Sequence, residues 1–298
     1  MVIRIIKVLL VLLGLLVMSG LAAIWYIGAW NIVFPSQQHD VEAPPIPDAL
    51  VSPALLVFTK TNGFRHKEGI NVGVEQIGTI AAEQGWNVFH TENGAVFNAI
   101  DLSRFDVVVF LNASGDMLNS DQELAFSDWL WAGGGWLGVH AAGDDSHRDW
   151  TWYIDTLIGA RFTAHIMGPQ FQTATVVMEN PGHPVVADIP DTWEHTEEWY
   201  SWSRSPRETG FTILATVDEN SYTPVQKFAG SERDLRMGDH PVVWSNCVGR
   251  GRSVYLAMGH KGDAFLQPQV RQLIVNAVTW MLSPADEFCP QDAISSAR

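Results

Sequence analysis

The chain begins with an apolar run that no charged residue interrupts. Val8 to Phe34 carries no charge, and Val8–Trp30 alone would form a helix about 34 Å long. A bilayer core is about 30 Å thick, so this run predicts a membrane-spanning helix within residues 1–34. Arg4 and Lys7 precede the run and acidic residues follow it. The positive-inside rule therefore places the main domain on the extracytoplasmic (periplasmic) side.

A cleaved signal peptide is the other interpretation of this run, with a cut near Gly20–Ala23. The apolar part of such a peptide usually has only about 7–15 residues, so length favours an anchor. Residues 35–53 contain five prolines. They predict a stiff, extended linker that holds the domain off the membrane.

Beyond the linker, buried strands alternate with helices. Ala54–Thr59, Asp106–Leu111 and Trp136–His140 are continuous apolar runs, typical of buried parallel strands. Glu68–Gly85 has the apolar spacing of a helix. This alternation predicts an α/β fold with a mostly parallel sheet.

A second helix begins at Ser120, where Ser120 and Glu123 match a capping box, and it runs through Trp131. After residue 160 the pattern is mainly that of strands and turns, until a last helix at Gln269–Leu282. We predict one domain over residues 54–283 and a polar tail over residues 284–298. The further predicted strands are Asn87–His90, Phe171–Met178, Phe211–Val217, Pro241–Asn246 and Ser253–Met258.

Composition narrows the class of protein. The chain is 47% hydrophobic and 17% charged, which excludes a disordered protein. A net charge of −15 disfavours nucleic acid as a partner. Two cysteines are too few for a disulfide scaffold or a thiolate zinc finger. Cys247 and Cys289 could pair with each other or remain free thiols.

One familiar motif is present by letter only. Gly133–Gly138 matches the dinucleotide fingerprint G-x-G-x-x-G. That fingerprint must run from a strand into a helix, whereas these glycines run from a helix into a strand. We therefore do not assign a nucleotide site.

Three histidines stand at the carboxyl ends of predicted strands, where open α/β sheets bind their ligands. His66 follows the first strand, His140 ends the strand after the glycines, and His260 follows Ser253–Met258. Such a set suits acid–base chemistry near neutral pH, or a metal ion held by neutral imidazoles.

The segment Trp193–Tyr200 adds carboxylates beside aromatic rings. It is either an exposed acidic turn or a site in which Glu198 orients a histidine or accepts a proton. Rings such as Trp199 would suit stacking on a sugar.

The ordered motifs around His66, His140, Glu198 and His260 resemble the ThuA-like (trehalose utilisation) family. The relevant stretches are Gly63-Phe64-Arg65-His66, Gly133 to Ala142, Glu198-Trp199-Tyr200 and Gly259-His260. The resemblance covers most of Ala54–Leu282. It implies a flavodoxin-like, doubly wound sheet of the class I glutamine amidotransferase-like kind.

The resemblance also implies a chemistry and a set of residues. Amidotransferases carry a cysteine in a G-x-C-x-G elbow, and here the matching position is His140, so glutamine hydrolysis lacks its nucleophile. The implied substrate is a small carbohydrate, such as a trehalose-like disaccharide or its keto derivative. The resemblance implies four catalytic residues, His66, His140, His260 and Glu198. It also implies four substrate-binding residues, Tyr200, His165, Trp199 and Asp144. His165 and His183 match the family more weakly, and Asp144 has capping of the next helix as its alternative.

Two classes of function follow. The first is a membrane-tethered, sugar-processing hydrolase, lyase or isomerase, in which the histidines act by acid–base chemistry, contact hydroxyl groups, or hold a divalent metal ion that Glu198 completes. The second is a non-catalytic carbohydrate-binding or scaffolding module, which the missing cysteine and the anchor favour. The number of titratable groups favours the enzyme. The sequence does not define an oligomeric state.

Overall fold

The computed structural model describes residues 2–147, 149–228, 230–286 and 288–289. Its helices are α1 Val2–Tyr26, α2 Trp30–Val33, α3 Lys67–Gln84, α4 Ala99–Leu102, α5 Ser120–Trp131, α6 Thr151–Tyr153, α7 Gly262–Leu266 and α8 Pro268–Leu282. Its strands are β1 Ala54–Phe58, β2 Asn87–Thr91, β3 Val107–Leu111, β4 Gly135–Val139, β5 Phe162–His165, β6 Gln172–Met178, β7 Thr192–Glu197, β8 Tyr200–Trp202, β9 Thr212–Val217, β10 Val225–Phe228, β11 Ser231–Asp234, β12 Pro241–Val248 and β13 Gly251–Leu256.

One large sheet organises the domain, with strand order β2-β1-β3-β4-β13-β12-β9-β6-β7. The first five strands in this order are parallel to one another, and the remaining pairs are antiparallel. The predicted α/β fold with a large, mostly parallel central sheet is confirmed. Two short ribbons, β5–β8 and β10–β11, lie outside this sheet.

Burial explains why the strands of the parallel half of the sheet could be predicted from the sequence. Every residue of β1, β3 and β4 is buried, because helices cover both faces of a parallel sheet. The helix α3 buries Ile70, Ile77 and Ile80 on one face. The edge strand β2 is only partly buried, in keeping with its weaker apolar pattern.

The acidic segment before Glu198 is a strand rather than the exposed turn that was one of its two interpretations. Along β7 burial alternates, so that Trp193, His195 and Glu197 point into the protein. A half-buried strand usually alternates apolar and polar residues, but here the inward positions include His195 and Glu197, so the sequence does not show that alternation.

Asn119, not Ser120, caps α5. Its side chain accepts hydrogen bonds from the backbone NH groups of Asp121 and Gln122, and the Gln122 side chain accepts from the Asn119 backbone NH. The predicted Ser120–Glu123 box is therefore one residue out of register, although the helix bounds are correct. An Asn-x-x-Gln box satisfies the same free NH groups.

The N-terminal apolar run is helical and buries none of its side chains in the domain core. Within the described residues, α1 has a mean hydropathy of 2.6 in its most apolar window and none of that window is buried. Such a helix is long enough to cross a membrane, and a signal sequence can have the same length and apolar composition.

The proline-rich linker lies along the domain. Asp40 forms an ion pair with Lys60, and Gln122 donates to the Asp40 carbonyl. Arg104 donates to the carbonyls of Ile46 and Pro47. These contacts hold the segment against the strand ends.

Cys247 and Cys289 form a disulfide, which resolves the two alternatives left open by the sequence. Arg252 donates hydrogen bonds to the carbonyls of Ser283 and Pro284. The start of the predicted polar tail is thus tied to the sheet, and its remainder, residues 290–298 with Glu287, lies outside the described residues.

The capping register is testable by two alanine substitutions. Asn119→Ala should lower the free energy of unfolding by about 1 kcal/mol, because two helix NH groups lose their acceptor. Ser120→Ala, at the next and exposed position, should change it by less than about 0.5 kcal/mol. Urea unfolding of both variants measures the difference. Equal losses in the two variants would contradict the Asn119 cap.

Candidate functional site

Four of the predicted side chains converge at the carboxyl end of the parallel strands. Potential ligand atoms of His66, His140, Glu198 and His260 all lie within 4.8 Å of one another. His140 Nε2 is 3.1 Å from His260 Nδ1, and Glu198 Oε2 is 3.0 Å from that same His260 nitrogen and 3.5 Å from His140 Nε2. Adjacent parallel strands end at one edge, which is why residues so distant in the chain meet.

His140 occupies a strained elbow directly after β4. Its φ is +47°, a left-handed conformation that is uncommon for a residue other than glycine. Three contacts hold the turn: the Tyr255 hydroxyl donates to the His140 carbonyl, the Ala141 NH donates to Asn112 Oδ1, and His140 Nδ1 donates to the Ala257 carbonyl. Such strain persists only where the surroundings enforce it.

The Ala257 contact also determines which nitrogen of His140 faces the cluster. A carbonyl oxygen can only accept, so Nδ1 carries a proton and Nε2 points toward Glu198 and His260. A second hydrogen bond of this kind is what orients histidines that ligate metals.

His66 is supplied by the loop between β1 and α3. The side chain is buried, and Nδ1 has no hydrogen-bond partner among the described residues. Gly69 lets α3 approach the opposite loop, since a Cβ there would lie 2.4 Å from the Gly259 carbonyl oxygen. Burial, reinforced by the neighbouring His140 and His260, lowers the pKa of His66 well below its usual value. His66 therefore presents neutral nitrogens at neutral pH.

Glu198 supplies the negative charge of the cluster. Burial alone would raise its pKa, but hydrogen bonds with His140, His165 and His260 outweigh burial and hold that pKa far below the usual range. Burial likewise opposes charge on His140, while Glu198 and then Glu197 raise the pKa of that imidazole above its usual value. Glu198 is thus a buried carboxylate that remains ionised.

Glu197, which we had not singled out from the sequence, supports the cluster from behind. Its Oε2 accepts from the Gly259 NH at 2.7 Å and its Oε1 accepts from the Glu198 NH at 2.9 Å. His195 Nε2 lies 3.5 Å from the same carboxylate. Glu197 therefore joins the end of β7 to the His260 loop. The Glu-Glu pair was visible in the sequence, but its first member gave no sign of facing inward.

His165 and Tyr200 were predicted to bind substrate, and both adjoin the cluster. His165 Nδ1 lies 3.0 Å from Glu198 Oε1, and at 24% exposure its side chain is more open than those of His140 and His260. The Tyr200 ring is buried, with its centroid 4.3 Å from that of His140 and 4.6 Å from that of Phe162. A ring packed in this way supports His140, and its predicted contact with substrate stays a prediction.

Two other predicted positions differ in what surrounds them. Trp199 is buried, its ring packs near His195 and Tyr222, and its indole NH donates to the Gln172 carbonyl, so its surroundings do not support the predicted sugar contact. Asp144 accepts from the Ser146 NH, as the capping alternative expects, and it also lines a recess of about 560 Å³.

His183, the weaker family match, lies away from the cluster. Its ring centroid is 4.7 Å from that of Trp280 and 4.5 Å from that of Phe288, close to the disulfide. The histidine accepts from the Val185 NH and caps a short helical turn. We regard it as a core residue.

The open wall of the site is formed by phenylalanines rather than tryptophans. A cleft of about 410 Å³ reaches His66 and His260 between Phe64 and Phe171. The Phe64 ring lies 4.7 Å from His66, and the Phe171 ring lies 4.9 Å from His260. Phe64 stands two residues before His66 in the sequence, so its place beside the site could have been proposed. Nothing in the sequence marked Phe171.

The spacing of three members of the cluster fits a divalent metal ion. In a tetrahedral zinc site with metal–ligand distances of about 2.0–2.1 Å, neighbouring ligand atoms lie about 3.3 Å apart. His140 Nε2, His260 Nδ1 and Glu198 Oε2 are separated by 3.0–3.5 Å. His66, whose buried Nδ1 has no partner among the described residues, is the fourth candidate ligand.

Comparison with known proteins agrees with this architecture. The family model described as ThuA, trehalose utilisation, matches residues 54–281. A ThuA-like protein from Bacteroides uniformis aligns with a TM-score of 0.68 at 24% identity, covering 84% of this chain and 99% of its own. A ThuA-like protein from Parabacteroides merdae aligns at 0.59 and 18% identity, covering 80% and 95%. At these identities the structural likeness shows the fold alone. Among curated proteins no match was found.

The support given by Glu197 can be measured. Glu197→Gln replaces one carboxylate oxygen with an NH₂ group, which cannot accept a hydrogen bond. The variant therefore loses one of the two bonds from the Gly259 and Glu198 NH groups. We expect the free energy of unfolding to fall by about 2 kcal/mol. Glu194→Gln is the matched control, because Glu194 lies on the exposed face of the same strand. Chemical denaturation of the two variants compares them, and a loss no larger for Glu197→Gln would contradict this role.

His183 predicts a pH dependence of stability. Burial lowers the pKa of His183 to about 4, from an unfolded value near 6.5. Between pH 6.5 and 4 the folded state therefore binds fewer protons than the unfolded state, and stability falls as the pH drops through that window. The full contribution is at most about 3.5 kcal/mol, since one pKa unit corresponds to about 1.4 kcal/mol.

His183→Asn removes this contribution and keeps an oxygen that can accept from Val185. Urea unfolding from pH 8 to 4 should show parallel stability curves for variant and wild type above pH 7. Below pH 6.5 the wild type should lose stability faster. Curves that stay parallel down to pH 4 would show that His183 does not titrate in this way.

Proposed function

Because the chain belongs to the ThuA (trehalose utilisation) family, we propose that it is an enzyme of carbohydrate metabolism acting on a trehalose-like disaccharide or its keto derivative. The observation that carries the proposal is the convergence of His66, His140, His260 and Glu198 within 4.8 Å at the strand ends. A site built only to bind a sugar needs aromatic rings and hydrogen-bonding groups, and not several buried titratable ones.

We propose that these four side chains hold a divalent metal ion. When bound, such an ion polarises a carbonyl or hydroxyl oxygen of the sugar. The protein's own contribution is to arrange donors: the Ala257 carbonyl keeps His140 Nε2 directed at the cluster, and ionised Glu198 offsets part of the added positive charge.

His165 is the candidate acid–base group of the pocket. Burial disfavours its charge, yet the contact with Glu198 raises the pKa of His165 above its usual value. It is also the most exposed histidine around Glu198. A histidine of this kind can exchange a proton with substrate while Glu198 stabilises the protonated form. Phe64 and Phe171 would contact the apolar face of a sugar ring in the cleft.

A non-catalytic binding or scaffolding module is the second candidate. The observation favouring it is His140 itself, which stands in the strained elbow where amidotransferases keep their nucleophile. The two candidates differ in one outcome. For the enzyme, His140→Ala should abolish turnover in a screen of trehalose and keto-disaccharides while the circular dichroism spectrum is unchanged. Retained turnover in this variant would contradict the catalytic role proposed for His140.

We also propose that α1 anchors the domain to a membrane, with the domain on the extracytoplasmic side. The support is the length of α1, its lack of buried residues within the span, and the bases Arg4 and Lys7 at its start.

Metal content is the first measurement to make. Elemental analysis of the purified full chain, before and after chelation, should find about one divalent ion per chain, because three nitrogens and one carboxylate form a complete set of ligands. His140→Ala and His260→Ala should each reduce the bound metal at least about tenfold. His90→Gln, at an exposed histidine on β2, is the matched control and should bind as the wild type does. Equal metal content in all four proteins would overturn the proposed centre.

A further inference from the structure

The C-terminal end of α1 and the segment after it contact the loop that carries His66. Lys67 donates to the carbonyls of Trp25 and Tyr26 at 2.9 Å each, and its ammonium lies 4.4 Å from the Trp25 ring centroid. These bonds satisfy carbonyl groups at the C-terminal end of α1, where a cation is also favoured by the helix dipole. Lys67 is the first residue of α3 and follows His66 directly.

A second contact fixes the turn after α1. The Gly28 carbonyl accepts from the Arg65 NH, and Asn31 Nδ2 donates to the Thr61 carbonyl. Gly28 has a φ of +85°, and a Cβ there would lie 2.3 Å from the Arg65 carbonyl oxygen. Only glycine therefore permits this close approach between the membrane-proximal turn and the His66 loop.

The cleft that reaches His66 and His260 is walled in part by Tyr26 and Ile27. Beyond Phe64, the recess that includes Asp144 is walled by Asn31, Ile32 and Pro35. Residues next to the membrane span thus line both spaces beside the cluster. If α1 spans a bilayer, Tyr26 lies at its interface, where tyrosine is enriched. The mouth of the cleft then opens at the membrane surface.

Apolar side chains around this mouth are exposed. Ile27 and Met167, which line the cleft, are 59% and 55% exposed, and Ile32, which lines the neighbouring recess, is 59% exposed. An exposed apolar surface that continues from a membrane helix is suited to contact with lipid chains. A cleft for a free, fully hydrated disaccharide would not need such a border.

We infer that the substrate is a membrane-embedded glycolipid, whose sugar headgroup enters the cleft between Phe64 and Phe171 while its alkyl chain runs past Tyr26, Ile27 and Met167 into the bilayer. This inference rests on the proposed function, since it names the substrate class of the same site. It also requires that α1 remain attached.

The test compares one sugar with and without an alkyl chain. The full chain is reconstituted in phosphatidylcholine nanodiscs, and binding of radiolabelled trehalose and of trehalose carrying one 12-carbon acyl chain is measured above empty nanodiscs. We expect the acylated sugar to bind at least about tenfold more tightly, equal to about 1.4 kcal/mol.

Two pairs of variants test whether this preference depends on the wall of the cleft formed by Tyr26, Ile27 and Met167. Gly28→Val should reduce the preference below about threefold, whereas Gly20→Val should keep it, because a Cβ at Gly20 meets nothing within 4 Å. Met167→Ser should also weaken it, with Leu124→Ser as the control at an apolar position on α5 that is similarly exposed, at 60%. A preference kept in both Gly28→Val and Met167→Ser would overturn the inference.

The remaining outcomes separate the two proposals. Equal binding of both sugars would overturn the glycolipid and leave the proposed sugar site standing. Binding of neither sugar to the metal-loaded protein would overturn both. An intact mass showing cleavage between Gly20 and Ala23 in the protein extracted from membranes would overturn the glycolipid alone.

Discussion

The buried negative charge of Glu198 is the constraint on which the site depends. A carboxylate in the protein interior is stable only if donors surround it, and here His260 and His165 lie 3.0 Å from its two oxygens. The hydrogen bonds from these imidazoles therefore offset the free-energy cost of burying the charge. The same charge would partly neutralise a divalent cation held by those imidazoles, so one electrostatic arrangement serves both folding and the proposed chemistry.

A second layer of contacts keeps that arrangement rigid. Glu197 links β7 to the Gly259 NH, and Asn112 donates to the Gly259 carbonyl. Tyr255 and the Ala257 carbonyl fix the backbone and the ring of His140. Each of these partners lies in or next to the large sheet, so the positions of the ligand atoms are determined by regular structure rather than by mobile loops. Rigid support of this kind is what a metal or acid–base site requires.

The membrane-proximal segment connects this site to the chain's other distinctive feature. Lys67 donates to carbonyls at the end of α1, and the Arg65 NH donates to the Gly28 carbonyl. These bonds join the apolar helix directly to the His66 loop. The linker after it lies along the same strand ends through Asp40 and Lys60. An anchor attached in this way would set the orientation of the cleft relative to the bilayer as well as keep the domain near it.

The sequence by itself determined the parallel half of the fold, because buried strands such as β1 and β3 are apolar on both faces and appear as short continuous apolar runs. It also placed His66, His140 and His260 at strand ends. Only the tertiary structure decided which neighbours these residues have. Glu198 reaches them from β7, Trp199 turns into the core, and Phe171 faces the cleft, because those choices depend on contacts between distant segments. Local periodicity contains no information about such pairings, and an inward Glu197 looks the same in sequence as an exposed one.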